Sequence, residues 1–350
     1  MSTTTVVQVR QRRSADEWRS LGIVCPRCRG PWRNSAPDTL KCDACGTMYP
    51  VMCGIPDLRT GTDPYLSTDE DVDAAKQLMG RADGLDFAAL YSSYYEGNPK
   101  VPPAQAAQFT RGVLAAAPRA EASLDVWESL SRPLGVGGVI LDLGCGTAPL
   151  GIRLAALGHR VVGIDAGLRW LVLARKRAAQ EGVDLPVVCA NAEALPIADG
   201  ALQAVVGESF LENLADAAQG IREAHRSLAP LGSLWLTTPN KRSLGPDPHL
   251  GVVAGGWWPE MRLRERAARE GKVFPKRRLF ASGELAALLA GAGFGGLRMG
   301  LPRFTDAQRA GLSLPINLAI GGYHLVRRTP ILRSLCMRIG PTIVCTATRV

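Results

Sequence analysis

The sequence predicts an α/β fold built on a mostly parallel sheet, and three observations predict it. Short runs rich in valine, isoleucine and leucine (Val139–Leu143, Arg160–Ile164, Leu185–Cys189, Leu202–Gly207) alternate with segments of helical pattern. The first two runs flank the turn Gly144-Cys145-Gly146-Thr147 and a helix from about Pro149 to Leu157, the layout of a βαβ crossover covered on both faces. At 350 residues and 46% hydrophobic, the chain holds one full α/β domain with appended pieces.

The crossover also predicts a ligand. Gly144 and Gly146 allow a tight turn and a close backbone approach, and the helix N-terminus after them faces the space beyond the strand ends. Asp165 lies 21 residues after Gly144 at the tip of the second strand, where a carboxylate accepts both ribose hydroxyls of a nucleoside. The dinucleotide pattern G-x-G-x-x-G fails, because Pro149 takes the third glycine's place.

The stretch VILDLGCGTAPLGIRLAALGHRVVGID instead resembles motif I of the class I S-adenosylmethionine-dependent methyltransferases, with Asp142 in the acidic place two residues before G-x-G. The resemblance implies S-adenosylmethionine as cofactor, its ammonium on Asp142, and a Rossmann-like sheet of seven mostly parallel strands. Cys145 in the turn and Ala166 after Asp165 are taken as further cofactor-binding positions. Ala148 stands where the family usually has a third glycine.

Residues 1–21 are expected to be disordered or flexible, and the stretch MSTTTVVQVRQRRSADEW lacks the apolar core of a signal peptide. The nearest approach to a membrane span, Gly311 to Val326, is interrupted by Pro315, Asn317 and His324. A cytoplasmic protein is therefore expected, with its nine cysteines as thiols or metal ligands rather than disulfides.

Cys25 and Cys28 form one C-x2-C knuckle and Cys42 and Cys45 a second, 13 residues further on. Two such knuckles close a tetrahedral, all-sulfur Zn²⁺ site with no open position, which points to a structural metal. The segment CDACGTMYPVMCGIPDL resembles zinc ribbons that partner or are fused to methyltransferases, so residues 22–60 are expected to form such a ribbon. Cys53 is read as a small buried apolar residue.

Residues 61–135 are acidic and are expected to form a helical linker or lid. Ser67 or Thr68 caps a helix whose first turn holds Asp69, Glu70 and Asp71. Tyr91, Tyr94 and Tyr95 share one helical face, packing on the main domain or lidding the pocket. Pro99, Pro102 and Pro103 mark a break, and Arg132-Pro133-Leu134-Gly135 another.

The main domain is expected over residues 136–350. After Asp165 a helix (Leu168 to Gln180) leads to the third strand and then to ANAEALPIADGALQAVV, similar to the methyltransferase segment D-A-x-x-L-P-F-x-D-x-S-F-D. Asn191 replaces the aspartate there, and the resemblance places Asn191, Ala192 and Glu193 against adenine. The fourth strand ends at Glu208, with Glu212 and Asn213 close behind, at the strand tips where open α/β sheets bind ligands. Glu208 is expected at the donor and, with Glu212 as alternative, at the acceptor nucleophile.

A helix, a turn and the fifth strand follow in IREAHRSLAPLGSLWLTTPN, similar to E-x-x-R-x-L-x-P-G-G with Leu231 at the first glycine. The long loop Thr238 to Trp258 is expected to be functional, with His249 as general base or, alternatively, as a residue holding backbone. Helices are expected at Glu260–Glu270 and Ser282–Ala292. Residues 302–342 form an insertion before a last strand, Ile343–Arg349.

The net charge of +9 is concentrated at the C-terminal end: residues 262–350 hold 16 Arg and Lys against 4 Asp and Glu. Such a region favours nucleic acid, a phosphorylated molecule or an anionic membrane surface, unless it is simply an arginine-rich surface. The expected activity is methyl transfer to a small molecule (secondary metabolite, sugar or lipid-linked). The alternatives are an RNA base methyltransferase reading its substrate through the ribbon, and a silent scaffold that keeps only the fold, suggested by Ala148, Asn191 and Leu231.

Overall fold

The computed structural model describes residues 13–33, 36, 38–63, 65–96, 101–131, 134–135, 137–245, 247, 250–274, 277–310, 312–326 and 329–350. A short helix α1 (Ala15–Ser20) leads into four short antiparallel strands, β1 (Trp32–Arg33), β2 (Thr39–Cys42), β3 (Met48–Met52) and β4 (Ile55–Pro56). Helices α2 (Thr68–Arg81), α3 (Phe87–Tyr95), α4 (Pro103–Leu114) and α5 (Ala116–Leu130) follow. Then strands and helices alternate: β5 (Val139–Leu143), α6 (Pro149–Ala156), β6 (Arg160–Asp165), α7 (Leu168–Gln180), β7 (Val187–Cys189), β8 (Leu202–Glu208), α8 (Ala217–Ser227) and β9 (Leu228–Pro239). The chain ends with α9 (Glu260–Arg269), α10 (Ser282–Gly291), β10 (Phe294–Gly300), α11 (Asp306–Arg309), α12 (Leu314–Val326), α13 (Pro330–Ile339) and β11 (Thr342–Arg349).

The main sheet has seven strands in the order β10-β11-β9-β8-β5-β6-β7. Neighbours from β9 through β7 pair in parallel, while β11 runs antiparallel to both β9 and β10. This is the Rossmann-like sheet of mostly parallel strands. The pleat explains the layering: Val139, Leu141 and Leu143 of β5 enter one buried cluster with α8 and α10, whereas Ile140 enters another with α3, α5, α6 and α7.

The N-terminal segment is more ordered than expected. Residues 1–12 lie outside the described residues, but Ala15–Ser20 is helical rather than flexible. Ser14 and Glu17 close a reciprocal capping box, and Trp18 is buried against the main core. The segment that follows clamps the free edge of the sheet. Val24 N donates to Pro196 O (2.8 Å), Leu58 N donates to Cys189 O (2.7 Å), and Asp57 pairs in parallel with Cys189 on β7. An edge strand with unpaired backbone groups is thereby covered. The proline breaks at Pro99 and Pro133, with Arg132, lie outside the described residues.

Strand β9 starts directly after α8, and its pairing with β8 jumps from Leu228 to Ser233, so residues 229–232 bulge out as the expected turn and carry a strained position. Leu231 has φ 62° and is 76% exposed. A left-handed backbone costs an L-residue about 1–2 kcal/mol, whereas glycine adopts it freely. Leu231→Gly is therefore expected to stabilise the fold by about 1 kcal/mol, raising the thermal midpoint by about 2–4 °C. A lower midpoint would contradict this reading of the strain.

Candidate active site

A cavity of about 830 Å³ opens beyond the carboxyl ends of β5, β6, β7 and β8. Strand order reverses between β5 and β8, and open α/β sheets bind ligands in the crevice at such a switch point. Asp142, Gly144, Cys145, Gly146, Asp165, Ala166, Asn191, Ala192, Glu193 and Glu208 all line this one space.

The glycine turn is closed on itself. The amides of Gly144 and Cys145 both donate to Ile164 O (2.8 and 3.0 Å), and that of Gly146 donates to Asp165 Oδ2 (2.9 Å). The turn thus offers a ligand bare backbone surface rather than a row of free donors, which departs from the expectation for this loop. Glycine at 144 is required twice: its φ is 66°, and an added Cβ would lie 2.2 Å from Phe210 Cβ. Ala148 takes the left-handed conformation (φ 53°) that a glycine would take more cheaply.

Several carboxylates converge on the cavity. Asp142 is 2% exposed and accepts from Gly151 N (2.8 Å); burial, with Glu208 and Asp165 nearby, pushes its pKa up to about 7. Asp165 accepts from Gly167 N (2.8 Å) as well as Gly146 N, yet burial still pushes it up to about 6. Glu208 accepts from Ser123 Oγ on α5 (2.5 Å), while its buried Oε2 has no hydrogen-bond partner. Glu212 accepts from Thr238 Oγ1 (3.1 Å), and burial pushes it up to about 7. Among the described residues, Asp142, Asp165 and Glu208 form no ion pair with a basic side chain. A buried anionic cluster of this kind favours a cationic ligand.

Other expected residues have different partners. Asn191 Oδ1 accepts from Thr60 N (3.0 Å) and Gly61 N (2.9 Å), so it straps the segment after β4 across the site. Glu193 Oε1 accepts from Ala215 N (3.0 Å), fixing the approach to α8. His249 lies outside the described residues; nothing described between 238 and 258 lines the cavity. That loop folds on itself instead. Asp247 is buried, receives Leu250 N (2.9 Å) and pairs with Arg277, and Lys241 pairs at the surface with Glu284 (3.0 Å). Lys276 also lies outside the described residues.

The opposite wall holds residues that sequence reasoning did not place there: Tyr65, Arg119, Arg264, Phe274, Arg277 and Arg278. Arg277 is almost fully buried, and its Nη1 has no hydrogen-bond partner. The positive charge of residues 262–350 was the signal for it, but charge alone could not say that Arg277 turns inward. Tyr91 lines the cavity and stacks on Trp170 (ring centroids 6.0 Å apart), with Tyr94 edge-on to the same indole at 5.2 Å. The tyrosine face therefore packs on α7 while contributing to the wall.

Behind the tip of β6 lies a buried ionic network. Asp71 of α2 accepts from Arg59 Nη1 (2.7 Å), Arg169 Nη1 (2.6 Å) and Leu168 N (2.8 Å). Gly167, at the N-cap of α7, provides no side-chain cap, so a carboxylate nearly a hundred residues earlier caps that helix. Arg59 Nη1 also donates to Ala166 O (3.1 Å), holding the tip that carries Asp165.

The four knuckle cysteines meet as well. The Sγ atoms of Cys25, Cys28, Cys42 and Cys45 all lie within 4.8 Å of one another, with Cys25–Cys45 at 3.8 Å and Cys28–Cys42 at 3.5 Å. A tetrahedron of sulfurs around an ion at about 2.3 Å has edges of about 3.8 Å, so the set fits one metal ion. Cys53 is half-buried rather than fully buried, with φ 52° and its carbonyl accepting from Arg175 Nη1 (2.6 Å).

Comparison with known proteins bears on the central part of the chain. Demethylmenaquinone methyltransferase of Thermus thermophilus is 40% identical over 97 residues, 27% of this chain and 44% of that protein. Ubiquinone biosynthesis O-methyltransferase of Pseudomonas paraeruginosa is 35% identical over 123 residues, 34% of this chain and 50% of that protein. A solved S-adenosylmethionine dependent methyltransferase from Mesorhizobium loti superposes with a TM-score of 0.43 at 20% identity, covering 65% of this chain and 98% of its own. The chain spans about half the length of the curated relatives it matches. Residues 140–232 match the family described as "Methyltransferase domain", a stretch that includes most of the crossover, Asn191 to Glu193 and the Glu208 strand tip.

Proposed function

We propose that the chain is an S-adenosylmethionine-dependent methyltransferase acting on a small-molecule acceptor. The observation that carries this reading is the convergence of Asp142, Asp165 and Glu208, without basic partners, beside a glycine turn. An ammonium and a ribose diol complement that set. Asp142 would hold the ammonium and Asp165 the ribose hydroxyls, with Ala166 and the backbone of 190–193 against adenine. Asn191 would position the strap at 60–61 rather than receive the adenine amino group, because its acceptor oxygen is already engaged.

When bound, this cofactor supplies an activated methyl on a sulfonium. The protein's task is then to align an acceptor, exclude water and take up a proton where the acceptor carries one. Glu208 Oε2, buried and without a donor, is placed to accept that proton, with Ser123 Oγ holding the other carboxylate oxygen. Tyr65, Phe274 and Arg277 would form the acceptor wall. A small acceptor is supported by two features. The described residues of the ribbon line no part of the cavity, so they would not touch an acceptor seated in it. The matched relatives are named for quinone biosynthesis.

Titration calorimetry with S-adenosylmethionine and its demethylated product is expected to show binding of both. Cell extract incubated with isotopically labelled donor is expected to yield a labelled small molecule. In Glu208→Gln, turnover is expected to fall about 10²- to 10⁴-fold, well beyond any loss of donor affinity from the missing charge. Donor binding with no labelled product from any extract would favour the scaffold reading; label in RNA would favour the nucleic-acid reading.

The four-cysteine cluster is proposed to hold structural Zn²⁺, whose binding would supply the folding energy of a ribbon with little core of its own. Metal analysis is expected to give one zinc per chain, lost in Cys25→Ser/Cys42→Ser. Full zinc content in that variant would overturn the assignment.

A further inference from the structure

We propose that the hairpin of α12 and α13 is a docking surface for an anionic lipid bilayer, an inference that goes beyond methyl transfer. Its apolar side chains point outward. Leu314, Leu318 and Leu325 are 71%, 67% and 68% exposed, and Ile331 and Leu335 are 85% and 50% exposed. Leu314, Leu318 and Leu325 fall within about 40° of arc on α12, and Ile331 and Leu335 within about 40° on α13, so each helix presents a stripe.

Almost nothing beneath these helices accounts for their apolar content. Among the described side chains α12 buries only Ile320, and α13 buries none. Helices of 13 and 10 residues are marginal on their own in water. Exposed apolar stripes of this kind mark a contact face.

The hairpin is nevertheless attached firmly. Tyr323 Oη donates to Pro302 O (2.9 Å), Phe304 N donates to His324 Nε2 (3.3 Å), and the rings of Phe304 and Tyr323 meet edge to face. At its far end Asn240 Nδ2 donates to Arg338 O (3.0 Å) and Gly340 O (2.9 Å). Asn240 follows β9, whose neighbour β8 ends at Glu208 in the cavity. The apolar stripes are thus fixed at the same end of the sheet as the cavity.

Charge selects the occupant. From residue 307 to 350 the sequence has six arginines and no Asp, Glu or Lys. Arg327 and Arg328 lie outside the described residues; on α13, Arg338 falls beside the arc of Ile331 and Leu335, whereas Arg333 lies on the opposite side and lines a crevice with Asp125 and Leu130. Apolar side chains interspersed with cations suit the headgroup–acyl boundary of an anionic membrane, whereas nucleic acid would leave the leucines uncovered. Among the described residues no helix is long and apolar enough to cross a membrane, so the hairpin would lie in the interface.

Vesicle flotation of the full chain tests this, with phosphatidylcholine vesicles prepared with and without phosphatidylglycerol. The protein is expected to float with the anionic vesicles and to release as salt is raised. Leu318→Glu/Ile331→Glu should weaken partitioning about tenfold or more, and Arg338→Glu, beside the α13 stripe, should weaken the preference for anionic lipid about threefold or more. Calorimetric binding of S-adenosylmethionine should stay at the wild-type level in both, which separates this test from that of the activity. Flotation that is absent, or unaffected by either variant, would overturn the proposal. So would a dimer in sedimentation equilibrium that Leu318→Glu/Ile331→Glu dissolves, which would assign the face to a second copy. RNA retention lost in Arg338→Glu, without vesicle binding, would assign it to nucleic acid.

Discussion

Asp165→Ala is expected to raise the dissociation constant for S-adenosylmethionine about 100-fold, close to 2.7 kcal/mol, as read by titration calorimetry. The carboxylate serves the ligand in two ways. It would accept the ribose hydroxyls through charge-assisted bonds, and it already fixes the turn by receiving Gly146 N and Gly167 N. A change of less than about threefold would remove the ribose role assigned to this side chain.

The same carboxylates predict a pH dependence with a definite sign. Burial raises Asp165 to about 6 and Asp142 to about 7, so both gain protons as pH falls from 8 to 5. A cationic ligand favours the ionised forms. Affinity should therefore fall about tenfold per pH unit from about 7 to 6, and more steeply below. The free protein should respond in the opposite sense. Folded-state values above 3.8 contribute stability that is present at low pH and lost as pH rises through 6 and 7. The thermal shift produced by the ligand should consequently grow with pH across that window.

Asp71→Ala is expected to cost about 3–5 kcal/mol of stability and to lower the thermal midpoint by about 10 °C. Asp71 is fully buried between Arg59 and Arg169, and its removal leaves both guanidinium groups under-compensated. Asp57 and Asp63 remain as partial partners, at 2.5 and 3.4 Å, which keeps the loss below that of an isolated buried charge. The variant also uncaps α7 and loosens Ala166 through Arg59, so donor affinity should weaken alongside stability. Unfolding by denaturant measures the first effect and calorimetry the second. A stability loss under about 1 kcal/mol would mean that the network relaxes around the gap.

How much of this was legible in the chain depends on how local each signal is. The crossover from Val139 to Asp165 could be read because an apolar run, a glycine turn and a helical pattern lie side by side, and the structure reproduces it nearly to the residue. The two cysteine knuckles could be read for the same reason, since a two-residue spacing already aims both thiols at one point. The capping of α1 by Ser14 and Glu17 was equally local but was passed over, because a basic, polar start suggested flexibility.

Other features had no local signal. The engagement of Asn191 by Thr60 and Gly61, of Glu208 by Ser123, and of Asp71 by Arg169 joins positions roughly 80 to 130 apart. Residue type announces that a buried carboxylate or amide needs a partner, but many partners are chemically acceptable. The choice among them is made by packing the helices and the ribbon against the sheet. Backbone pattern and short-range spacing therefore specify the sheet, its glycine turn and the thiol cluster. Which polar groups are satisfied and which, like Glu208 Oε2 and Arg277 Nη1, are left facing the cavity emerges only when distant segments are folded together, because desolvation and hydrogen-bond geometry act through space rather than along the chain.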